Sequence, residues 1–173
     1  LGTSNETTYG LTKANTIASY EGLAKFQSIQ NNFSLLHRRF LDELADACRQ
    51  ENVSLLPYSP IGGGVLSGKY NVPEGPKGCS FGHDHYHDNP RQRAMADRFV
   101  NEGTLAATAK YLEIAKDLGM SPVTLATAWS MNFDFVASTI IGARTAAQLE
   151  ESLAALEVTL SDEVMKRCDE VHK

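Results

Sequence analysis

Short apolar runs alternate with helix-patterned stretches along this chain, and few folds accept that order. Residues 26–30, 53–58 and 135–141 read as strands, and an apolar-to-polar change in the first five residues reads as the tail of another. Between them, residues 7–22 read as a helix closed by Gly22, and Leu41, Leu44, Ala45 and Cys48 share one helical face at i, i+3, i+4, i+7. Strands separated by helices make right-handed βαβ units, and those make a parallel sheet. The run 135–141 is continuous and β-branched, the pattern of a parallel strand covered on both faces.

Further helices follow from local signals. One covers residues 91–99. Another starts with Leu105, Thr108, Ala109 and Leu112 and stops at Gly119. Ser121-Pro122 combines a hydroxyl cap with proline at the first helical position. Thr145 to Gln148 fits a capping box, Leu149, Leu153 and Leu156 supply the buried face behind it, and Ser161-Asp162 caps a last helix. Residues 71–89, rich in Gly, Pro, His and Asp, read as a long surface loop.

The 173 residues suit one domain. A formal net charge of -5 argues against nucleic acid or an anionic membrane as partner, since both favour basic surfaces. No apolar run is long enough to span a bilayer. Cys48, Cys79 and Cys168 are odd in number and widely spaced, which suggests neither a disulfide framework nor a zinc site. A reducing, cytoplasmic setting is the expectation, with an organelle open if a transit peptide precedes Leu1.

Each strand ends in small polar groups: Ser4-Asn5, Gln30-Asn31, Tyr58-Ser59 and Gly142-Ala143-Arg144. Polar residues also cap strands without any ligand. In parallel α/β folds, however, the carboxyl ends of strands face the ligand, and four such ends together suggest one extended polar molecule. The third end runs into Pro60-Ile61-Gly62-Gly63-Gly64-Val65-Leu66-Ser67-Gly68-Lys69. Glycines let backbone approach a phosphate, and Lys69 adds a point charge. Arg144 precedes the cap of a helix, where free N–H groups and a guanidinium fork suit a second phosphate. Tyr58 is placed either to stack on a planar heterocycle or to sit in the core. His83, His85 and His87 alternate around Asp84 and Asp88, but in a polar loop with no fixed supporting shell; the expectation is a solvated loop and no metal. Ser28, Ser34 and Ser67 lack a nucleophile-elbow frame.

These motifs together resemble the carboxyl-terminal half of an aldo-keto reductase, in the branch of bacterial and plant NADP(H) reductases related to potassium-channel beta subunits. The resemblance rests on Gly2-Thr3-Ser4-Asn5-Glu6-Thr7, Ser28-Ile29-Gln30-Asn31, Pro57-Tyr58-Ser59-Pro60 with its Gly-Lys loop, and Gly142-Ala143-Arg144 through Gln148-Leu149. It implies an α/β fold that is part of a (β/α)8 TIM barrel, from the end of strand five through strand eight plus closing helices, with residues 1–173 as half of the domain. It also implies NADP(H). Ser4, Asn5 and Gln30 would meet the nicotinamide carboxamide, and Tyr58 the ring. Ser59, Gly62, Gly64, Ser67 and Lys69 would hold the pyrophosphate. Gly142, Arg144 and Gln148 would hold the 2′-phosphate, with Glu151 near adenine. The family usually has Asn at the position of Ser152.

The family's catalytic Asp, Tyr, Lys and His lie on amino-terminal strands, and none of the matched motifs includes them; Tyr9, Tyr20 and Tyr70 do not occupy those positions. A full barrel takes about 250 residues. The chain is therefore expected to hold the cofactor of an enzyme that reduces a small carbonyl substrate, to carry no catalytic residue, and to be inactive alone. The alternative is a half-barrel NADP(H)-binding or regulatory module that forms a homodimer or complements a partner chain.

Overall fold

The computed structural model describes residues 1–72, 76, 79, 81 and 90–172, the side chains of residues 91, 92 and 95 excepted. His83, His85 and His87, with most of the 71–89 loop, lie outside the described residues. Strands β1 (Gly2–Ser4), β2 (Ser28–Asn32) and β3 (Ser54–Tyr58) form a parallel sheet in that order. Helix α1 (Thr8–Tyr20) crosses from β1 to β2, and α2 (Leu44–Glu51) from β2 to β3. Among the described residues the further α-helices are α3 (Pro90–Phe99), α4 (Glu102–Asp117), α5 (Pro122–Met131), α6 (Ala146–Leu153) and α7 (Asp162–His172). Among the described residues no helix is long and apolar enough to cross a membrane.

Helix starts follow their local chemistry. Thr7 Oγ1 accepts from the Gly10 N–H at 3.0 Å, and Ser121 Oγ from the Val123 N–H at 3.1 Å, with Pro122 at the first turn. Gly22 closes α1 at φ 65°, and the Leu23 N–H reaches back to the Ala18 carbonyl at 2.8 Å. The Thr145 box is only half made. Thr145 Oγ1 accepts from the Gln148 N–H, but Gln148 Oε1 accepts from the Arg144 N–H, one residue before the cap.

Strand β2 begins two residues later than the sequence pattern suggests. Asn15 of α1 is fully buried, and its amide meets both backbone groups of Phe26, accepting from N–H at 2.9 Å and donating to C=O at 3.3 Å. Phe26 is thereby spent on a side chain and the ladder starts at Ser28. Ile29 and Leu55, both 0% exposed, are register partners facing the core. Phe33, Phe40, Phe133, Phe135 and Trp129 pack edge-on and tilted beneath them, with the Phe33–Trp129 centroids 4.9 Å apart.

The fourth expected strand, residues 135–141, is not a strand. It makes one parallel bridge, Val136 with Leu55, and then departs. Leu55 exchanges both bonds, donating to Phe135 O at 2.7 Å and accepting from Ala137 N at 3.0 Å. The next rung would need the N–H of Pro57, which does not exist. The Pro57 carbonyl instead accepts from Ile140 at 2.8 Å, one residue out of register, while Thr139 Oγ1 bonds Ser130 Oγ. Nor is the segment covered on both faces, for Ile140 is 39% exposed.

Helix α6 also turns the other way from expectation. Leu149, Leu153 and Leu156 are 42%, 44% and 65% exposed. The buried residue is Ser152, because α6 meets α5 through a polar seam in which Thr124 Oγ1 donates to the Glu151 carbonyl at 2.8 Å. Elsewhere the carboxyl-terminal helix is clamped by Arg38, itself 6% exposed. Arg38 donates to Asp169, to the Cys168 carbonyl at 2.8 Å and to the Leu35 carbonyl at 3.3 Å, and lies 4.5 Å from the Trp129 ring.

Candidate functional site

After β3 the backbone turns sharply. Ser59 takes φ 55°, and Gly62, Gly63, Gly64 and Gly68 take φ 57°, 64°, 93° and 80°. Non-glycine residues are strained in this region, so the glycine run is what allows so many left-handed residues in one loop. The turn faces the segment 140–144 and the start of α6 across a cleft of about 580 Å³. Ser59, Gly64, Ser67, Lys69, Gly142, Arg144, Gln148 and Glu151 all line it.

The loop offers charge and hydroxyl more than open amides. The Gly62 N–H bonds the Ser59 carbonyl at 2.9 Å and the Gly64 N–H bonds the Ile61 carbonyl at 3.0 Å. Ser67 Oγ donates to the Gly64 carbonyl at 2.8 Å. The Lys69 chain lies against Gly64 so closely that a Cβ there would be 2.9 Å from Cε and Nζ. Gly62, in contrast, is buried with its missing Cβ aimed at Leu36, and does not line the cleft. Gly63 lines it instead; its missing Cβ would come within 2.4 Å of Phe81.

Two cations serve this cleft from opposite sides, Lys69 from the loop and Arg144 from the approach to α6. Burial raises the pKa of Tyr70, over whose ring the Lys69 ammonium lies, above the ordinary phenol value. Glu151 is the acidic lining residue. Ser121 Oγ donates to its carboxylate, which ties one of its oxygens to the amino end of α5.

Ser4, Asn5, Gln30 and Tyr58 do not line this cleft; they form a hydrogen-bonded group at the carboxyl ends of β1–β3. Tyr58 OH donates to Asn5 Oδ1 at 2.9 Å, Asn5 Nδ2 donates to Ser4 Oγ at 3.1 Å, and Ser4 Oγ donates to the Gln30 carbonyl at 3.2 Å. Asn5 takes φ 53° and its own N–H bonds the same Gln30 carbonyl. Asn5 and Tyr58 open onto a second cleft of about 230 Å³, which Asn31, Asn32, His37, Arg39 and Arg98 also line. Sequence reasoning did not single out the last four. The one available signal was the His37-Arg38-Arg39 run, which begins five residues after the end of β2. Among the described residues no cluster of His, Cys, Asp or Glu is arranged to hold a metal ion.

The fold is of the α/β class, a parallel sheet with helices, and its larger cleft is lined by the two cations Lys69 and Arg144. The sequence profile of the Aldo/keto reductase family matches residues 1–173, and the chain belongs to that family, which is one of oxidoreductases. It is 35% identical over 176 residues to Protein tas of Escherichia coli K12, covering 100% of this chain and 47% of that protein. It is 29% identical over 157 residues to an aldo-keto reductase of Babesia bovis, covering 88% and 52%. It is 27% identical over 146 residues to L-glyceraldehyde 3-phosphate reductase of Escherichia coli O157:H7, covering 82% and 40%. The chain spans about half the length of the curated relatives it matches.

Proposed function

We propose that this chain is the carboxyl-terminal, cofactor-holding half of an NADP(H)-dependent reductase of aldehydes and ketones, folded as part of a (β/α)8 barrel from the end of strand five through strand eight. One observation carries the reading: Lys69 and Arg144 share a single cleft with the hydroxyls of Ser59 and Ser67 and the amide of Gln148. Two separated cations with flanking hydroxyls fit a ligand with two phosphate groups, and the cleft is large enough for a nucleotide. Lys69, Ser59 and Ser67 would meet the pyrophosphate, Arg144 and Gln148 the 2′-phosphate, and Glu151 the adenine edge. The Tyr58–Asn5–Ser4–Gln30 group continues from Ser59 and would receive the nicotinamide end.

When bound, the cofactor supplies a hydride. The chain's own residues would bind and orient it, and the proton donor for an alkoxide would come from outside this chain. Tyr58 already donates its proton to Asn5. Titration with NADPH, followed by its fluorescence, tests the binding claim; absence of saturable binding overturns it. Incubation with NADPH and nitrobenzaldehyde, read at 340 nm, tests the inactivity claim, which robust turnover would refute.

A second reading, a module that pairs with another half barrel or with itself, is favoured by one surface. Tyr9, Ile17 and Tyr20 of α1 are 69%, 49% and 85% exposed, and Leu1 and Leu23 beside them 74% and 63%. Such apolar surface favours association. Light scattering decides between a dimer and a monomer. The proposed setting is cytoplasmic, supported by three free thiols, two of them buried.

A further inference from the structure

The smaller cleft carries chemistry that the cofactor reading does not use. Asn31 Oδ1, Asn32 Oδ1 and His37 Nδ1 are buried and have no hydrogen-bond partner among the described residues. Asn32 as a whole is only 6% exposed. A buried polar atom without a partner costs free energy, so three of them around one opening mark a place where a bound molecule satisfies them. Two guanidinium groups, Arg39 and Arg98, line the same opening, and among the described residues no carboxylate does. Both cations also act on the ring between them: after burial, the Arg98 and Arg39 charges are what lower the His37 pKa.

We infer that this cleft binds a small anion that also bears a hydroxyl, with its charge held between Arg39 and Arg98 and its hydroxyl against Asn31, Asn32 and His37. The guanidiniums supply only donors, so they select oxyanions; the amide oxygens require a donor from the ligand, so they select a hydroxyl. A volume of about 230 Å³ is below the range of sites for drug-sized ligands and excludes a second nucleotide. The anion is a carboxylate or a phosphate. Because Tyr58 lines this cleft and Ser59 the larger one, the bound molecule would lie at the nicotinamide end; that assignment as substrate rests on the reductase reading, whereas anion binding does not.

The test is titration of the 15N-labelled chain, without nucleotide and at constant ionic strength, with inorganic phosphate, glycolate, acetate and glycerol. Saturable shifts of the Asn31 and Asn32 side-chain amides are expected with glycolate or phosphate, whichever source is right, at least fivefold weaker with acetate, and absent with glycerol. Arg98→Gln and Arg39→Gln should each weaken binding tenfold or more, Arg98→Lys less, and Lys69→Gln not at all. Shifts that survive both glutamine variants, or no saturation with either hydroxylated anion or phosphate, overturn the inference. A parallel titration with 2′,5′-ADP, read at Lys69 and Arg144, reports on the cofactor cleft separately, so failure of one reading is distinguishable from failure of the other.

Discussion

Alanine at Gly64 should separate the glycine loop's structural role from its role toward a phosphate. Gly64 sits at φ 93°, and an L-residue there strains the backbone by about 1–2 kcal/mol. The new methyl would also lie 2.9 Å from Cε and Nζ of Lys69. A lysine tip is flexible, so that collision costs little stability; it moves the ammonium instead. A charge-assisted hydrogen bond is worth about 1.5–3 kcal/mol, so losing the lysine's contact should weaken NADPH by about 10- to 150-fold. Gly22→Ala is the control, since Gly22 has φ 65° with nothing within 4 Å of its would-be Cβ. Both variants should lower the melting midpoint by a few degrees, about 2–4 °C per kcal/mol at this size. Only Gly64→Ala should lose affinity in calorimetric or fluorescence titration, and Lys69→Met added to it should cost little more. Undiminished NADPH binding by Gly64→Ala would show that Lys69 does not hold a phosphate, and the pyrophosphate assignment would fall with it.

Other outcomes follow from single contacts. Arg144→Ala should weaken NADPH more than NADH, because only the former carries the 2′-phosphate; equal losses would refute that placement. Arg38→Met should cost about 3 kcal/mol in urea unfolding, because the Leu35 and Cys168 carbonyls lose a buried charged donor, and Asp169→Asn should also destabilise, because it leaves the Arg38 charge buried without its carboxylate. His37 has its pKa lowered, by burial first and then by Arg98 and Arg39, so the folded state resists its protonation. Stability should therefore be flat above the unfolded histidine value of about 6.5 and fall as pH drops below it, and His37→Gln should remove part of that slope in chemical denaturation between pH 7.5 and 5.5.

What the sequence disclosed was whatever depends on near neighbours. Thr7, Ser121 and Thr145 cap helices because a hydroxyl needs only the N–H two or three residues on, and Gly22 ends α1 because a left-handed residue is a property of its own backbone. Apart from the half-made Thr145 box, the misreadings involve distant partners. Phe26 looked like strand until Asn15, eleven residues earlier, took its backbone groups. Residues 135–141 have strand composition, but a ladder needs two chains, and the partner offers Pro57 where an N–H was required. Leu149, Leu153 and Leu156 keep helical spacing; periodicity defines a stripe, not the direction in which it points, and the seam of α6 with α5 is made by Ser152, Thr124 and Glu151.

The same distinction governs the candidate site. The residues named for the phosphates come together because the loop after β3 and the start of α6 are each locally encoded, and the parallel Leu55–Val136 bridge sets the segment before α6 beside β3. The residues named for the nicotinamide do not join that lining: Tyr58 bonds Asn5 across the strand ends, and consecutive residues Tyr58 and Ser59 open onto different clefts. One polar strand end thus serves two neighbouring sites. A reading by motif merges them, because a motif records which residues are adjacent and not where their side chains part. Arg39, Arg98 and Asn32 were missed for the converse reason, since they come from a short 3-10 helix, a distant α-helix and the last residue of β2, and only folding puts two cations and unpartnered amides around one opening.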